Sequence, residues 1–347
     1  MTLNRSLVIT SLFILCGLSA TMSSGQTFAT RYASHQELSD PWSLKPWSID
    51  SSSLFLFRSD PGSSQLVSSI VGDPSNSVNA EDLSYGFAYG YQLQLERQLT
   101  HRTRFESRYF GTDDWDDRTS QATTPNQFFS PQLVQVGSSA IPRTAGTSIQ
   151  SRLASKLYSF ELNMNHQVTQ NIEAIAGFRY VRLKDNLSLN IPDASIPIVG
   201  PVPTVAQTEA SNDLFGGQIG ARARLWGTSR LSLTTDFKGG IYGNGAHQRS
   251  SIATQLPLVG NLASTANDFD DTVAFVGEWT LQTNYKLTDR WSVDLGYQLL
   301  WIDGVAVGTD QLAASDYKIG NIGPGNGIDS KDHVFYQGIL LGIDYTW

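Results

Sequence analysis

Cysteine is almost absent from this sequence, and its absence excludes several chemistries. The only cysteine among the 347 residues is Cys16. It lies in an apolar run, residues 6–20, that follows a short charged start and precedes the small residues 23–25, a pattern typical of a secretory signal peptide cut near Gly25. The expected mature chain therefore has no disulfide, no thiolate nucleophile and no cysteine metal ligand.

Basic charge and long apolar runs are scarce as well. The chain has 24 basic and 32 acidic residues, and loss of residues 1–25 removes Arg5 alone, which leaves a net charge of −9 (23 − 32). An acidic chain of this kind disfavours nucleic acid as a partner, because a phosphate-binding surface needs a basic patch. Beyond the leader no apolar run reaches the length of about 18 residues that a membrane-spanning helix requires.

Alternation of apolar and polar residues is what the sequence does have. In the last strand Gly338, Gly342 and Asp344 share one parity, and a β-strand turns successive side chains to opposite faces. An apolar face backed by a polar one suits a barrel with lipid outside and a polar lumen, but it also suits the core of a soluble sandwich. The apolar face consists of Phe335, Ile339, Leu341, Ile343, Tyr345 and Trp347.

The connections between strands favour the membrane barrel. Ten strands alternate between four tight turns, near residues 100, 170, 228 and 289, and five long loops. An even strand number with short periplasmic turns and long outer loops is typical of outer-membrane barrels. The sequence thus predicts an all-β, antiparallel up-and-down transmembrane barrel of about ten strands. Its expected divisions are a signal peptide at 1–25, an exit segment at 26–46 and the barrel at 47–347.

The loops and one irregular strand carry finer predictions. Long loops are expected at residues 59–82, 112–155, 191–208, 245–272 and 308–332. The apolar parity changes near Leu183, which predicts a bulge or bend in that strand. The apolar pieces of three loops are expected either to extend hairpins above the membrane or to fold into the mouth of the barrel.

Charged residues on the polar faces are the candidate lining of the lumen, and their signs nearly balance. They could line a conducting path or form paired charges that fill the interior. An eight-stranded barrel leaves room for little more than side chains, so ten strands predict a narrow or occluded lumen. The candidates are Arg104, Glu106, Arg108, Glu161, Glu173, Arg179, Arg222, Arg224, Asp236, Lys238, Glu278, Lys286, Asp294 and Asp344.

Catalytic and metal-binding patterns are missing from the sequence. The acidic run 113–117 could bind Ca²⁺, but a solvated loop is the commoner interpretation. The five histidines have no metal-ligand spacing, so neither metal nor cofactor is predicted. A barrel protease of the omptin type needs an Asp-x-His beside paired aspartates such as Asp114 and Asp116, and a barrel phospholipase needs His-x-Ser. Neither pattern occurs, which predicts that the protein is not an enzyme.

Several short phrases in a fixed order resemble one protein family. They are residues 53–58, 105–111, 177–180, 240–244, 295–298 and 338–347. Together they resemble the planctomycete family named putative β-barrel porin 7, over about residues 47–347. The resemblance implies an outer-membrane location and supplies no catalytic or ligand residue.

The terminal aromatics and the barrel pattern together predict the partners and the function. Tyr345 and the final Trp347 resemble the signal that barrel-assembly machinery reads, so that machinery and outer-membrane lipid are the expected partners. The sequence makes no prediction of oligomeric state. The predicted function is a porin-like barrel that passes small solutes or ions or has a structural role. A surface receptor or adhesin acting through the outer loops is the alternative, and an outer-membrane hydrolase is a weaker one.

Overall fold

A computed structural model defines most of the chain from Trp47 onward. The residues it describes are 47–60, 65–69, 78–80, 83–112, 115–122, 129–130, 135–136, 139–140, 148–192, 195–196, 200–201, 203–257, 260–314, 318–319 and 328–347. The expected signal peptide and exit segment lie outside these residues, as do Asp113 and Asp114.

The described strands form one closed antiparallel barrel with ten strand positions, which confirms the predicted fold class. Each strand pairs with its neighbours in sequence, and the first pairs with the last. Trp47 and Trp347 exchange backbone hydrogen bonds of 3.1 and 3.0 Å at this closure. The strands are β1 (Trp47–Arg58), β2 (Phe87–Gln98), β3 (Thr103–Thr112, continued by Trp115–Ala122), β4 (Ser148–Gln167), β5 (Ile172–Ile191), β6 (Thr204–Gly227), β7 (Leu231–Leu256), β8 (Gly260–Lys286), β9 (Trp291–Val305) and β10 (Asp332–Thr346).

An apolar band surrounds the barrel on its outer face. The most exposed side chains of this band include Ile219, Ile241 and Val273, with exposed fractions of 73%, 69% and 70%. Exposing such apolar side chains to water is unfavourable, whereas exposing them to lipid is not. On β8 the outward apolar face runs from Tyr285 to Val273, twelve residue steps (285 − 273). At about 3.3 Å per residue and a tilt of about 40°, that span is about 30 Å high, the thickness of a bilayer's hydrocarbon core.

The barrel wall is much taller on one side than on the other. β7 and β8 have 26 and 27 residues, whereas β1 and β9 have 12 and 15. The loop predicted at 245–272 is therefore wrong: its residues pair from Gly245 with Asp271 to Leu256 with Gly260. The loop predicted at 112–155 is also too long, because Trp115–Ala122 pairs with the start of β4. Above the apolar band outward side chains such as His247 are polar, so the expected alternation disappears although the strands continue.

The structure has no bulge at the change of parity near Leu183, so that part of the prediction is wrong. β5 keeps its register with both neighbours from Glu173 to Asn190. Its inward residues are charged near the turns, as with Arg179, and apolar farther up, as with Leu183, while Lys184 faces outward. The environment of the outward face changes from lipid to water at the edge of the membrane, while the backbone of β5 continues as a regular strand. Register shifts occur instead on β6 and at Gly304 of β9, whose φ of 80° suits glycine.

The connection between β9 and β10 folds into the barrel at the end opposite the tight turns, which we call the loop end. It contains helix α1 (Gly308–Ala314). The inward-facing Asn212 accepts from Ala306 N at 2.8 Å and donates to Ala306 O at 2.7 Å, and Asn244 donates to Gly304 O at 3.0 Å.

No helix among the described residues is long and apolar enough to cross a membrane. Shorter pairings join Gln65–Ser69 to Val78–Asn79 and Phe129–Ser130, Gln135–Val136 to Ser139–Ala140 and Lys318–Ile319, and Ser195–Ile196 to Gly200–Pro201.

Candidate functional site: the barrel lumen

A layer of buried charges crosses the middle of the lumen. It contains Arg108 of β3, Glu161 of β4, Arg179 of β5, Lys238 of β7 and Glu278 of β8, and we call these five residues the charge layer. Their side chains are at most 5% exposed. Each cation contacts both carboxylates: Lys238 Nζ lies 2.8 Å from Glu161 and 3.0 Å from Glu278, and Arg179 lies 3.7 and 2.9 Å from the same two groups. Arg108 lies 3.0 Å from Glu161 and also binds Glu278.

The geometry of one ion pair shows that the charge layer crosses the lumen. Arg108 is on β3 and Glu278 is on β8, five positions apart in a ring of ten strands. The two strands therefore face each other across the barrel, and the pair reaches from one wall to the other. No aqueous path remains between these two side chains.

Neutral polar groups supply further hydrogen bonds to the charge layer, although Arg179 Nη2 and Glu278 Oε2 have no hydrogen-bond partner among the described residues. Gln92 accepts from Arg108 Nε at 2.8 Å, and Ser159 accepts from Arg179 Nε at 2.9 Å. Gln218 donates to Glu161 at 2.8 Å. Buried charges are tolerated only when they are paired and most of their remaining donors and acceptors are satisfied, so these contacts are needed to offset the desolvation of the layer.

A second set of ion pairs lies between the charge layer and the turns. Arg222 of β6 contacts Asp236 at 2.7 Å, Glu106 at 3.2 Å and Glu96 of β2 at 3.6 Å. Because β2 and β6 are four positions apart, the contact with Glu96 also crosses the lumen. Arg104 contacts Glu96 at 3.6 Å and Glu173 at 2.7 Å.

Toward the loop end the interior becomes apolar, and one buried ion pair crosses it. Arg58 of β1 binds Asp185 of β5 through two hydrogen bonds of 2.6 and 2.8 Å. Ser155 donates to Asp185 at 2.7 Å, and the ring of Tyr85 lies 3.8 Å from the guanidinium carbon of Arg58. Inward-facing apolar side chains surround the pair, and we call them the apolar plug. They include Leu54, Leu56, Phe110, Leu157, Leu183, Leu300, Ile302 and Val334.

A polar cavity of about 270 Å³ opens at the turn end of the barrel, and we call it the vestibule. Lys286 lies at its rim and binds Asp289 of the adjacent turn at 2.9 Å. The hydrogen bond from Lys286 lowers the pKa of the exposed Asp289 carboxyl below its usual value. The predicted lumen residues in its wall are Arg104, Glu173, Arg222, Arg224, Lys286 and Asp344.

Thirteen of the fourteen predicted lumen residues fall in three places. Five form the charge layer, six line the vestibule, and Glu106 and Asp236 bind Arg222 between the two levels. Asp294 is buried and accepts from Asn284 at 2.7 Å. At the barrel closure, the ring centre of Tyr345 lies 4.6 Å from that of Trp291 and 5.8 Å from that of Trp347.

Some residues of the interior were not singled out from sequence. Arg58 and Asp185 were missed, although Asp185 shares its parity with Glu173 and Arg179 along β5 and could have been placed inside by that signal. Asp116 of the acidic run is on the outer wall, where Arg152 binds it at 2.8 Å. Among the described residues no group of His, Cys, Asp and Glu side chains is arranged to hold a metal ion.

The closed barrel, its apolar outer band and its polar interior define a membrane protein of the outer-membrane β-barrel type. Residues 100–347, more than half of the chain, match the family described as "Putative beta barrel porin-7" (BBP7), and the chain belongs to that family. The family resemblance seen in the sequence is thereby confirmed. Among curated proteins, none has a sequence that matches significantly.

Solved structures similar to this chain are membrane proteins with little sequence identity to it. The outer membrane protease OmpT from Escherichia coli is 11% identical, with 87% of this chain and 96% of that chain covered and a TM-score of 0.42. The toluene transporter TbuX from Ralstonia pickettii is 9% identical, with 87% and 88% covered and a TM-score of 0.31. The toluene transporter TodX from P. putida is 13% identical, with 92% and 94% covered and a TM-score of 0.29. At TM-scores this low, the likenesses carry no argument about function.

Proposed function

We propose that the protein is a non-enzymatic barrel of the outer membrane that is closed to solutes in its resting form. In this proposal it serves as a structural anchor for the tall wall, the part of β7 and β8 that extends beyond the apolar band, and holds that wall outside the membrane. The observation that carries the proposal is the Arg108–Glu278 ion pair, because it joins opposite strands of the barrel. A conducting lumen would require that pair to break, and Arg108 and Glu278 would then lose the contact that joins opposite walls.

Two further levels support a closed lumen independently of the charge layer. The Arg58–Asp185 pair joins β1 to β5 among the apolar plug. The β9–β10 connection covers the plug, held by Asn212 and by Gln248, which donates to the carbonyl of Gln311. A solute would have to displace ionic, apolar and backbone contacts in series.

The orientation and location of the barrel are part of the same proposal. The leader pattern at 1–25 and the terminal aromatics, Tyr345 and Trp347, support export and assembly into the outer membrane. The four tight turns then face the periplasm and the tall wall faces outward, as in barrels with short periplasmic turns. Lipid and the barrel-assembly machinery are the partners that this placement requires.

Recording from planar bilayers tests whether the lumen is closed. The purified protein, inserted at low density, is expected to show no conductance steps over the usual range of voltages. The control is a variant with five substitutions. Leu54→Gly, Leu183→Gly and Leu300→Gly shorten side chains of the apolar plug, and Arg108→Gln with Glu278→Gln removes the ion pair across the lumen. That variant should conduct if it inserts. Regular steps from the unmodified protein would overturn the proposal in favour of a passive porin.

A surface receptor is the second candidate, and a feature of the tall wall favours it. A hollow of about 310 Å³ lies there above the apolar band, lined in part by Glu209, Arg249 and the contacting pair His247 and Phe269. Exposed aromatic and charged groups in one hollow suit recognition of a partner. The test expresses either the unmodified protein or the double variant His247→Ala/Phe269→Ala in cells that lack the protein. If the protein is a receptor, the unmodified protein restores surface adhesion and the variant does not. If it is a structural anchor, both restore adhesion equally.

A further inference from the structure

Three of the four turns at the mouth of the vestibule share one local sequence. A threonine begins the turn and an arginine follows two residues later. The threonine Oγ1 accepts a backbone N–H three residues on, at 3.0 Å from Thr103, 3.1 Å from Leu231 and 3.0 Å from Trp291. The side chain thereby fixes the turn. The pairs are Thr100 with Arg102, Thr228 with Arg230, and Thr288 with Arg290, and the fourth turn has Thr169 with Asn171.

The three turn arginines all line the vestibule, and they differ from the arginines deeper inside. Arg104 and Arg222 are held in ion pairs with carboxylates. The side chains of Arg102, Arg230 and Arg290 have no ion pair or hydrogen bond with any residue in the described part of the chain. The mouth of the vestibule therefore carries three uncompensated positive charges in a chain whose net charge is −8.

Asn165 forms part of the vestibule wall below the three turn arginines. It is 1% exposed, and its Nδ2 donates to Glu106 at 3.0 Å. The deeper wall is thus held together by buried polar contacts, and the arginines without ion pairs among the described residues lie at the mouth.

We propose that the vestibule binds a phosphate group through Arg102, Arg230 and Arg290. The planar guanidinium matches two phosphate oxygens at once, and three of them on fixed turns are arranged before the ligand arrives. The cavity of about 270 Å³ has room for the phosphate and a small substituent. The group comes either from a soluble phosphate ester or from a phospholipid headgroup at the turn side.

Titration calorimetry with sodium phosphate tests the site on the full barrel in a zwitterionic detergent at low ionic strength. The variant Arg102→Gln/Arg230→Gln/Arg290→Gln should bind at least about tenfold more weakly, because charge-assisted hydrogen bonds are lost. The matched control Arg118→Gln/Arg152→Gln/Arg182→Gln removes the same charge from the outer wall and should change the affinity by less than about twofold. Equal weakening in both variants, or no binding to the unmodified protein at millimolar phosphate, would overturn the proposal.

Reconstitution into vesicles distinguishes the two sources of phosphate. The same titration is repeated in digalactosyldiacylglycerol alone, which contains no phosphate, and in equal parts digalactosyldiacylglycerol and phosphatidylglycerol. A headgroup site predicts that phosphatidylglycerol abolishes phosphate binding, and a solute site predicts that it does not. The result is independent of conduction, so a conducting barrel would sink the closed-lumen proposal and leave the phosphate site standing.

Discussion

At the scale of single residues, Glu278 has the most demanding position in the barrel. Arg108, Arg179 and Lys238 all contact it, and its side chain is 1% exposed. Glu161 is the only other carboxylate in the charge layer, so the layer already contains three cations for two anions. A buried pair contributes little net stability when it is intact, but removing one partner leaves the others desolvated without compensation.

Glu278→Ala should therefore destabilise the barrel by about 3–5 kcal/mol. Urea titration of the refolded protein in vesicles, followed by the gel mobility of unboiled samples, measures this change. Asp289→Ala, which breaks an exposed pair with Lys286, is the control and should leave the urea midpoint unchanged. A midpoint for Glu278→Ala that coincides with that of the control would show that the charge layer is hydrated.

The identity of the lumen residues was largely predictable, but their partners were not. Alternation alone places Arg108, Glu161 and Glu278 on the polar face of their strands. Which of them meet depends on how strands far apart in sequence face each other across a closed ring. Arg58 shows the limit, because it ends β1 and only the curvature of the barrel brings it to Asp185.

At the scale of the strand, β6 passes through two environments without changing its form. Its outward residues are apolar from Leu225 to Phe215 and polar or mixed farther up, as at Gln207. Ile219 lies near the middle of the apolar part and is 73% exposed. The same backbone thus meets lipid first and water afterwards.

Ile219→Arg should cost about 2–4 kcal/mol of barrel stability, since an arginine at the midplane must be carried into hydrocarbon. Gln207→Arg places the same side chain on the same face of β6 above the band, and there the free energy of unfolding should not change. Unfolding in vesicles by denaturant compares the two variants. If both variants unfolded like the parent protein, the band would not be in contact with lipid.

The environment of each strand also explains which elements could be predicted from sequence. Strands were predicted wherever one face meets lipid, because apolar and polar residues then alternate. Above the band this rule reverses: on β5 Leu187 is inside and Asn186 is outside, so the continuing strand was interpreted as a loop. Helix α1 has only seven residues, and its position depends on Asn212 and Asn244, which are distant in sequence.

At the scale of the whole molecule, the lumen holds a cavity at one end and is filled by side chains toward the other. The vestibule opens at the turns, the charge layer crosses the middle, and the apolar plug and the β9–β10 connection fill the loop end. This order predicts that a small reagent entering from the turn side reaches the vestibule but does not reach the apolar plug. Strand β2 offers two inward positions that bracket the barrier, Gln94 in the vestibule and Ala88 beside Leu56.

Single cysteines at these two positions should therefore differ sharply in reactivity. In a chain carrying Cys16→Ser, Gln94→Cys should react with a charged thiosulfonate reagent added on the turn side, because the vestibule is hydrated. Ala88→Cys, which is 3% exposed in its native form, should resist the reagent from both sides and react only after unfolding. Mass spectrometry of vesicle-reconstituted protein gives both rates. Comparable labelling of the two cysteines would mean that water crosses the charge layer and reaches the plug, and the barrel would then be a conducting porin.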